Sequence, residues 1–166
     1  CSAQVVDRGG LVRTVLPDAF IAALPDARFP IQWKPVSGAW TYRADFGRQD
    51  VGWSGVGPLP THADDAAVVD WDRDGNPGAT VQITAPIVGS GEVYIVQTGR
   101  TVAEGTLHPD GSIRGGLRVE GFAQQVIAAS KSMLLHGPTL VQEPTLSRFT
   151  LTPMPNGDCP VDRSGG

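Results

Sequence analysis

The sequence predicts an all-β single domain, either one antiparallel β-barrel or a β-sandwich built on a meander, with at most one or two short helices. Three observations carry that expectation. Between Gly91 and Glu120 apolar and polar residues alternate with the two-residue period of half-buried strands. The 21 Gly and 14 Pro punctuate the chain too often for long helices. Turn dipeptides recur at hairpin spacing, as in Gly99-Arg100 and Asp110-Gly111. At 166 residues the chain suits one domain with a real core, spanning 1–166, with residues 1–10 as an N-terminal tether and 155–166 as a polar tail.

Taken in order, residues 11–15 read as a first strand. Residues 17–25 form a proline-bounded apolar segment that fits either a short helix beginning at Pro17 or a second strand, because periodicity does not separate such short runs. Residues 28–34 are extended and edge-like, since a proline such as Pro30 is confined to edges and bulges. Residues 39–46 make a strand with Trp40, Tyr42 and Ala44 on one face and Thr41, Arg43 and Asp45 on the other. Residues 47–66 are rich in Gly, Pro, Asp and Ser and form the longest irregular connection, the kind of segment that carries function more often than a short turn does. Strands then follow at 79–84, 91–98, 101–107, 113–120, 124–130, 133–135 and 148–154, separated by turns at 86–90, 99–100 and 108–112. In the 113–120 strand Ile113, Gly115, Leu117 and Val119 share a face, so one side of the sheet is packed and the other wet. Gly115 and Gly116 inside that strand suit a sheet that curls and so removes its edges.

The sharpest chemical signal is Asp70-Trp71-Asp72-Arg73-Asp74-Gly75-Asn76-Pro77-Gly78. Carboxylates at spacing two can turn their oxygens toward one hard cation, and Gly75 permits the turn that brings the carbonyl of Asn76 round to the same centre. Asp70, Asp72, Asp74 and Asn76 are therefore the candidate ligands, and Ca2+ the candidate ion. An EF-hand would close on a bidentate Glu at the twelfth position, where this chain has Val81, and the residues that follow Gly78 alternate as a strand and not as a helix. The competing reading is an acidic turn held by Asx hydrogen bonds. Asp64 and Asp65, a few residues upstream, are positioned to add an oxygen, whereas His62 beside them reads as a surface histidine.

Other chemistry is weakly marked. His62, His108 and His136 are far apart, and no H-x-x-x-H, C-x-x-C or G-x-x-x-x-G-K pattern occurs. Gly52-Trp53-Ser54-Gly55 approaches a nucleophile elbow, but Val56 stands where its second glycine belongs. Trp33, Trp40, Trp53 and Trp71 fit core packing better than the wall of a ligand cavity. The net charge of −4 gives nucleic acid no basic face to meet. No apolar run reaches the roughly 18 residues of a membrane span, the longest candidate, 126–135, being interrupted by Ser130, Lys131 and Ser132.

The chain starts at Cys1 and not at Met, so it is expected to be either a processed product or a trimmed chain, and export with loss of a signal peptide is the working expectation. Cys1-Ser2-Ala3 resembles the mature start of a bacterial lipoprotein, in which the cysteine carries the lipid anchor. The other cysteine, Cys159, supports the alternative, a Cys1 to Cys159 disulfide formed in an oxidising compartment. The Asp70 loop resembles the helix-free DxDxDG loops of exported bacterial β-proteins and thrombospondin type 3 repeats. Over residues 70–154 the pattern resembles exported domains, often lipoproteins, of Gram-negative bacteria in which a D-x-D-x-D-G-x-P-G loop feeds a β-meander. The resemblance implies no activity. The expected function is a non-catalytic envelope protein, periplasmic or cell-surface, acting as an accessory or structural subunit that meets protein partners through residues 47–66 and its termini. A lipocalin-like barrel for a small apolar ligand is the alternative, and a hydrolase without a recognisable motif ranks last.

Overall fold

The computed structural model describes residues 13–24, 29–85, 89–135 and 147–153. Cys1, Cys159, His136, the tether at 1–10 and the tail at 155–166 lie outside the described residues, as does most of the 86–90 turn. The elements are β1 (Arg13–Val15), α1 (Asp18–Ala23), β2 (Ile31–Val36), β3 (Ala39–Val51), β4 (Ala79–Ala85), β5 (Gly89–Leu107), β6 (Ile113–Ala129), a 3-10 turn (Ser132–Leu134) and β7 (Arg148–Leu151). All pairings are antiparallel within one sheet. The expected all-β class with one short helix is what forms.

The sheet is organised on β5. One of its edges pairs with β6 along nearly its whole length. The other edge is shared end to end, with β4 opposite Gly89 to Ile95 and β3 opposite Gln97 to Thr106. β1 extends the sheet beyond β4, β2 beyond β3, and β7 beyond β6. Among the described residues β1, β2 and β7 do not pair with one another, so the sheet is open. That removes the barrel alternative, since closure needs a ladder between two free edges.

Where the sequence suggested turns, the chain instead bulges and continues. Gly99-Arg100 is not a hairpin turn. Gly99 pairs with Gln49 and Arg100 with both Arg48 and Glu120, so β5 runs straight through the expected break. Gly99 serves close packing, because a Cβ there would lie 2.7 Å from Val119 Cγ1. β6 likewise joins the expected 113–120 and 124–130 strands, absorbing an extra residue near Gly121, whose φ is +60°. β3 does not stop at Phe46, because Gly47 (φ +73°) forms a bulge whose N–H donates to Asp45 Oδ1 at 3.0 Å. Residues 133–135, expected as a strand, belong to the 3-10 turn. The expected 108–112 turn does form, with His108 N–H donating to Ser112 O at 2.8 Å and Gly111 at φ +78°. Ser37 and Gly38, both at positive φ, supply the type I′ turn between β2 and β3.

The odd-numbered residues of β5 face one side. At the β4 end of that side Val81, Ile83, Val93 and Ile95 pack with Val51 and Leu134, capped by Phe20 of α1, whose ring lies 5.0 Å from that of Trp71. At the β3 end Tyr42, Ala44 and Ala103 pack with Phe46, Leu117 and Phe149. Tyr42, Gly105, Gly115 and Phe149 form one cross-strand row. The two glycines leave room for the rings at its ends to lean together, 5.9 Å apart. The even-numbered side of β5 is divided. Its β4 end carries Tyr94 and Val96 and is covered by residues 52–78, through Trp53, Leu59 and Val68. Its β3 end sets the fully buried Val102 among surface ion pairs: Arg43 and Arg118 to Glu104, Arg100 to Asp45, Arg48 to Asp50 and Arg118 to Glu120.

Candidate metal centre

β3 ends at Val51 and β4 begins at Ala79, opposite Gln97 and Ile95 of the same strand. Residues 52–78 are thus an excursion that leaves and rejoins one edge of β5 at nearly the same point. Gly52 (φ +79°) and Gly78 (φ +82°) form the two ends of it, and a Cβ on either would come within 2.3 and 2.5 Å of Ile95 O. Only glycine satisfies both the backbone conformation and the close approach. The excursion is tied internally by Ser54 N–H to Ala67 O at 2.8 Å and Val69 N–H to Gly52 O at 3.0 Å. Trp53 Nε1–H donates to Gln97 O at 3.0 Å.

The Asp70 loop is the returning limb. Trp71 N–H donates to Gly78 O and Gly78 N–H to Val69 O, each at 2.9 Å. Arg73 (φ +58°) and Gly75 (φ +89°) fold the residues between them into a tight coil. Asp70 accepts from Asp74 N–H (3.1 Å) and Gly75 N–H (3.0 Å), Asp72 Oδ2 from Thr80 N–H (2.8 Å), and Asp74 from Asn76 N–H (2.8 Å) and the Thr80 hydroxyl (2.5 Å). Burial alone would raise the Asp74 pKa, but the hydrogen bonds from Thr80 and Asn76 outweigh it and hold the carboxyl below its ordinary value.

These contacts bring one oxygen from each of Asp70, Asp72 and Asp74 within 4.8 Å of one another. Two oxygens sharing a Ca2+ at about 2.3–2.6 Å lie at most roughly 5 Å apart, so the cluster can hold a metal ion of that size. Asp72 is the informative member. It is 6% exposed, and its Oδ1 is buried with no hydrogen-bond partner among the described residues. A buried carboxylate oxygen without a donor is costly to maintain, and a cation is the partner that a ring of carboxylates offers it.

Asn76 stands in the same turn through its bond to Asp74. Val81, at the position an EF-hand gives to glutamate, is a core residue. Asp64 and Asp65 are not part of the cluster, and Asp65 Oδ1 accepts from Ala67 N–H at 2.8 Å. His62 is exposed and His108 lies in the β5–β6 turn. Thr80, which bonds two of the three carboxylates, was missed in the sequence because a threonine in a strand carries no signal of such a role. Trp53 is buried and Trp71 packs on Phe20, as core packing requires, but Trp33 and Trp40 are exposed on the β2–β3 hairpin and depart from that expectation; the four do not line one cavity.

An open groove of about 690 Å³ lies on the solvent-facing side of β2, β3 and β5, lined by Gln32, Lys34, Thr41, Arg43, Glu104 and Thr106. Its lining is mixed, with Tyr42 and Gly105 beneath the polar side chains. Among the described residues no helix is long and apolar enough to cross a membrane. Comparison with protein-family models, with curated proteins and with solved structures finds no match for this chain.

Proposed function

We propose that this chain is a non-catalytic, exported β-sheet domain that acts as an accessory or structural subunit of a cell-envelope assembly and binds Ca2+ at Asp70, Asp72 and Asp74, with the carbonyl of Asn76 as a further ligand. The observation that carries the partner role is the uncovered apolar surface of the β2–β3 hairpin. Trp33 and Trp40 are 44% and 49% exposed, on the same face as Ile31 and beside the free edge of β2. Large indoles left in water at a sheet edge fit a protein contact. Pro35 and Lys34 on that edge discourage indiscriminate strand pairing. Residues 47–66 and the termini remain part of the proposed contact, although the apolar side chains of the excursion mostly turn inward.

Export is supported by the same metal loop. A site with three carboxylates and no closing bidentate residue belongs with the weak calcium modules, whose dissociation constants are on the order of 10⁻⁴–10⁻³ M and which fill where calcium is millimolar. The lipocalin-like alternative lacks support among the described residues, since the sheet is open and does not close around a cavity. Crosslinking from position 33 in the native envelope tests the partner reading. A discrete adduct that Trp40→Ser abolishes is expected; a protein recovered wholly as uncrosslinked monomer overturns it.

A further inference from the structure

The geometry points to a calcium-dependent latch: the ion at Asp70, Asp72 and Asp74 seats residues 52–78 over the even-numbered face of β5, and its loss releases that cover while the sheet stays folded. This rests on the calcium reading of the loop. Beyond occupancy, it assigns the ion a structural consequence at a distance.

Three features connect the loop to the cover. The carboxylates are bonded to the sheet itself, because Asp72 and Asp74 both accept from Thr80 of β4. The loop's returning limb is bonded to the cover's base, through Gly78 N–H to Val69 O and Val69 N–H to Gly52 O. Both glycine ends of the excursion lie so near the same carbonyl, Ile95 O, that a Cβ on either would clash with it, which places the two ends side by side on β5. Without a cation, three like charges sit within 4.8 Å of one another, and the buried Oδ1 of Asp72 has no donor among the described residues. Opening the loop relieves both costs, since water can then reach the carboxylates. Such an opening breaks the bonds at Val69, Trp71 and Gly78 and lifts Trp71 from Phe20. The ladders of β5 with β3, β4 and β6 stay intact, since the excursion contributes nothing to their registers.

What the latch covers is apolar. Beneath residues 52–78 lie Val96, Ile127 and Tyr94, packed with Trp53, Leu59, Ala63 and Val68. In the released state that patch faces solvent, so a change in calcium alters the surface that the domain presents.

Hydrogen exchange read by mass spectrometry, alongside calorimetric titration of the whole chain with CaCl2, tests the proposal. Peptides covering 53–71 are expected to exchange at least tenfold faster in chelator than in millimolar calcium, while peptides from 93–107 and 113–129 change little. Asp72→Asn is expected to exchange fast under both conditions with an unchanged far-ultraviolet β spectrum; Asp64→Asn is expected to behave as the unaltered protein. If the titration shows no calcium binding, the metal assignment itself fails and the latch with it. If calcium binds and exchange in 53–71 does not respond, the site stands and the latch is overturned. Acceleration spread equally over β5 and β6 would also overturn it, as that signals global loss of stability.

Discussion

At the residue scale, two aspartates show how local contacts set a carboxylate's task. Asp45 accepts the Arg100 guanidinium and the N–H of Gly47, and these hold its pKa down from 3.8 to about 2. The stabilisation from such a lowered pKa is fully present above the unfolded value and is lost as pH falls through the folded one. Acid titration of stability is therefore expected to decline between about pH 4 and pH 2, and Arg100→Gln should move the Asp45 transition, followed by carboxyl NMR, upward toward 3.8. Asp45 is half-buried, but its partner Arg100 is exposed and the pair lies at the surface, so the effect on total stability is small. Asp72, by contrast, is buried and half unsatisfied. With calcium at a hundred times its dissociation constant, the unaltered protein should gain about 2.7 kcal/mol over the chelated form. Asp72→Ala should abolish that gain, and coincident calorimetric scans for the unaltered protein with and without calcium would reduce the loop to a turn.

At the scale of the element, the long strands β5 and β6 depend on glycines used for space. In the row from Tyr42 to Phe149, a Cβ at Gly115 would fall 2.0 Å from Glu104 O, and one at Gly105 2.6 Å from Arg114 O. Gly115→Ala is thus expected to cost about 1–3 kcal/mol in denaturant unfolding, because backbone must move to accept it. Gly116 has its nearest neighbour at 3.6 Å, so Gly116→Ala should cost well under half as much. Equal losses at the two positions would mean that strand entropy, and not the close approach, governs this row. The residue pattern ties Gly115 and Gly116 to a sheet that curls and removes its edges, whereas the sheet is open and Gly115 serves close strand approach. The pattern did not distinguish the two, since what separates them is the neighbouring strand.

For the whole molecule, the two faces of the sheet have different fates. One carries an apolar cluster at each end with Gln97 and Gln124 paired between them, and its β2–β3 end is left partly uncovered at Ile31, Trp33 and Trp40. The other is shared between the excursion and a ladder of ion pairs. Replacing Trp33 and Trp40 together by Ser should therefore leave the melting temperature within a few degrees while weakening association with the proposed partner. The edge-on contact of Trp33 with Tyr42, 5.5 Å between centroids, is the main packing lost, and such a pair is worth about 0.5–1.5 kcal/mol. A collapse of the fold in that variant would place the indoles in the core instead. Far-ultraviolet circular dichroism of the unaltered chain should be dominated by β-structure.

Much of this architecture follows from local pattern. Alternation marks the strands, Asp110-Gly111 marks its turn, and three aspartates at spacing two mark the loop, because side-chain direction and turn geometry are properties of a few consecutive residues. Gly99-Arg100 shows where that reasoning stops. The dipeptide is competent to turn, yet partners on both sides of β5 satisfy its backbone groups in extended form, and those partners come from residues fifty positions earlier and twenty later. The same holds at the metal loop. The carboxylates are visible in the sequence, but the burial of Asp72, the role of Thr80 and the meeting of Gly52 with Gly78 on Ile95 arise only when distant segments pack, since burial and close approach depend on long-range contacts that no local spacing encodes.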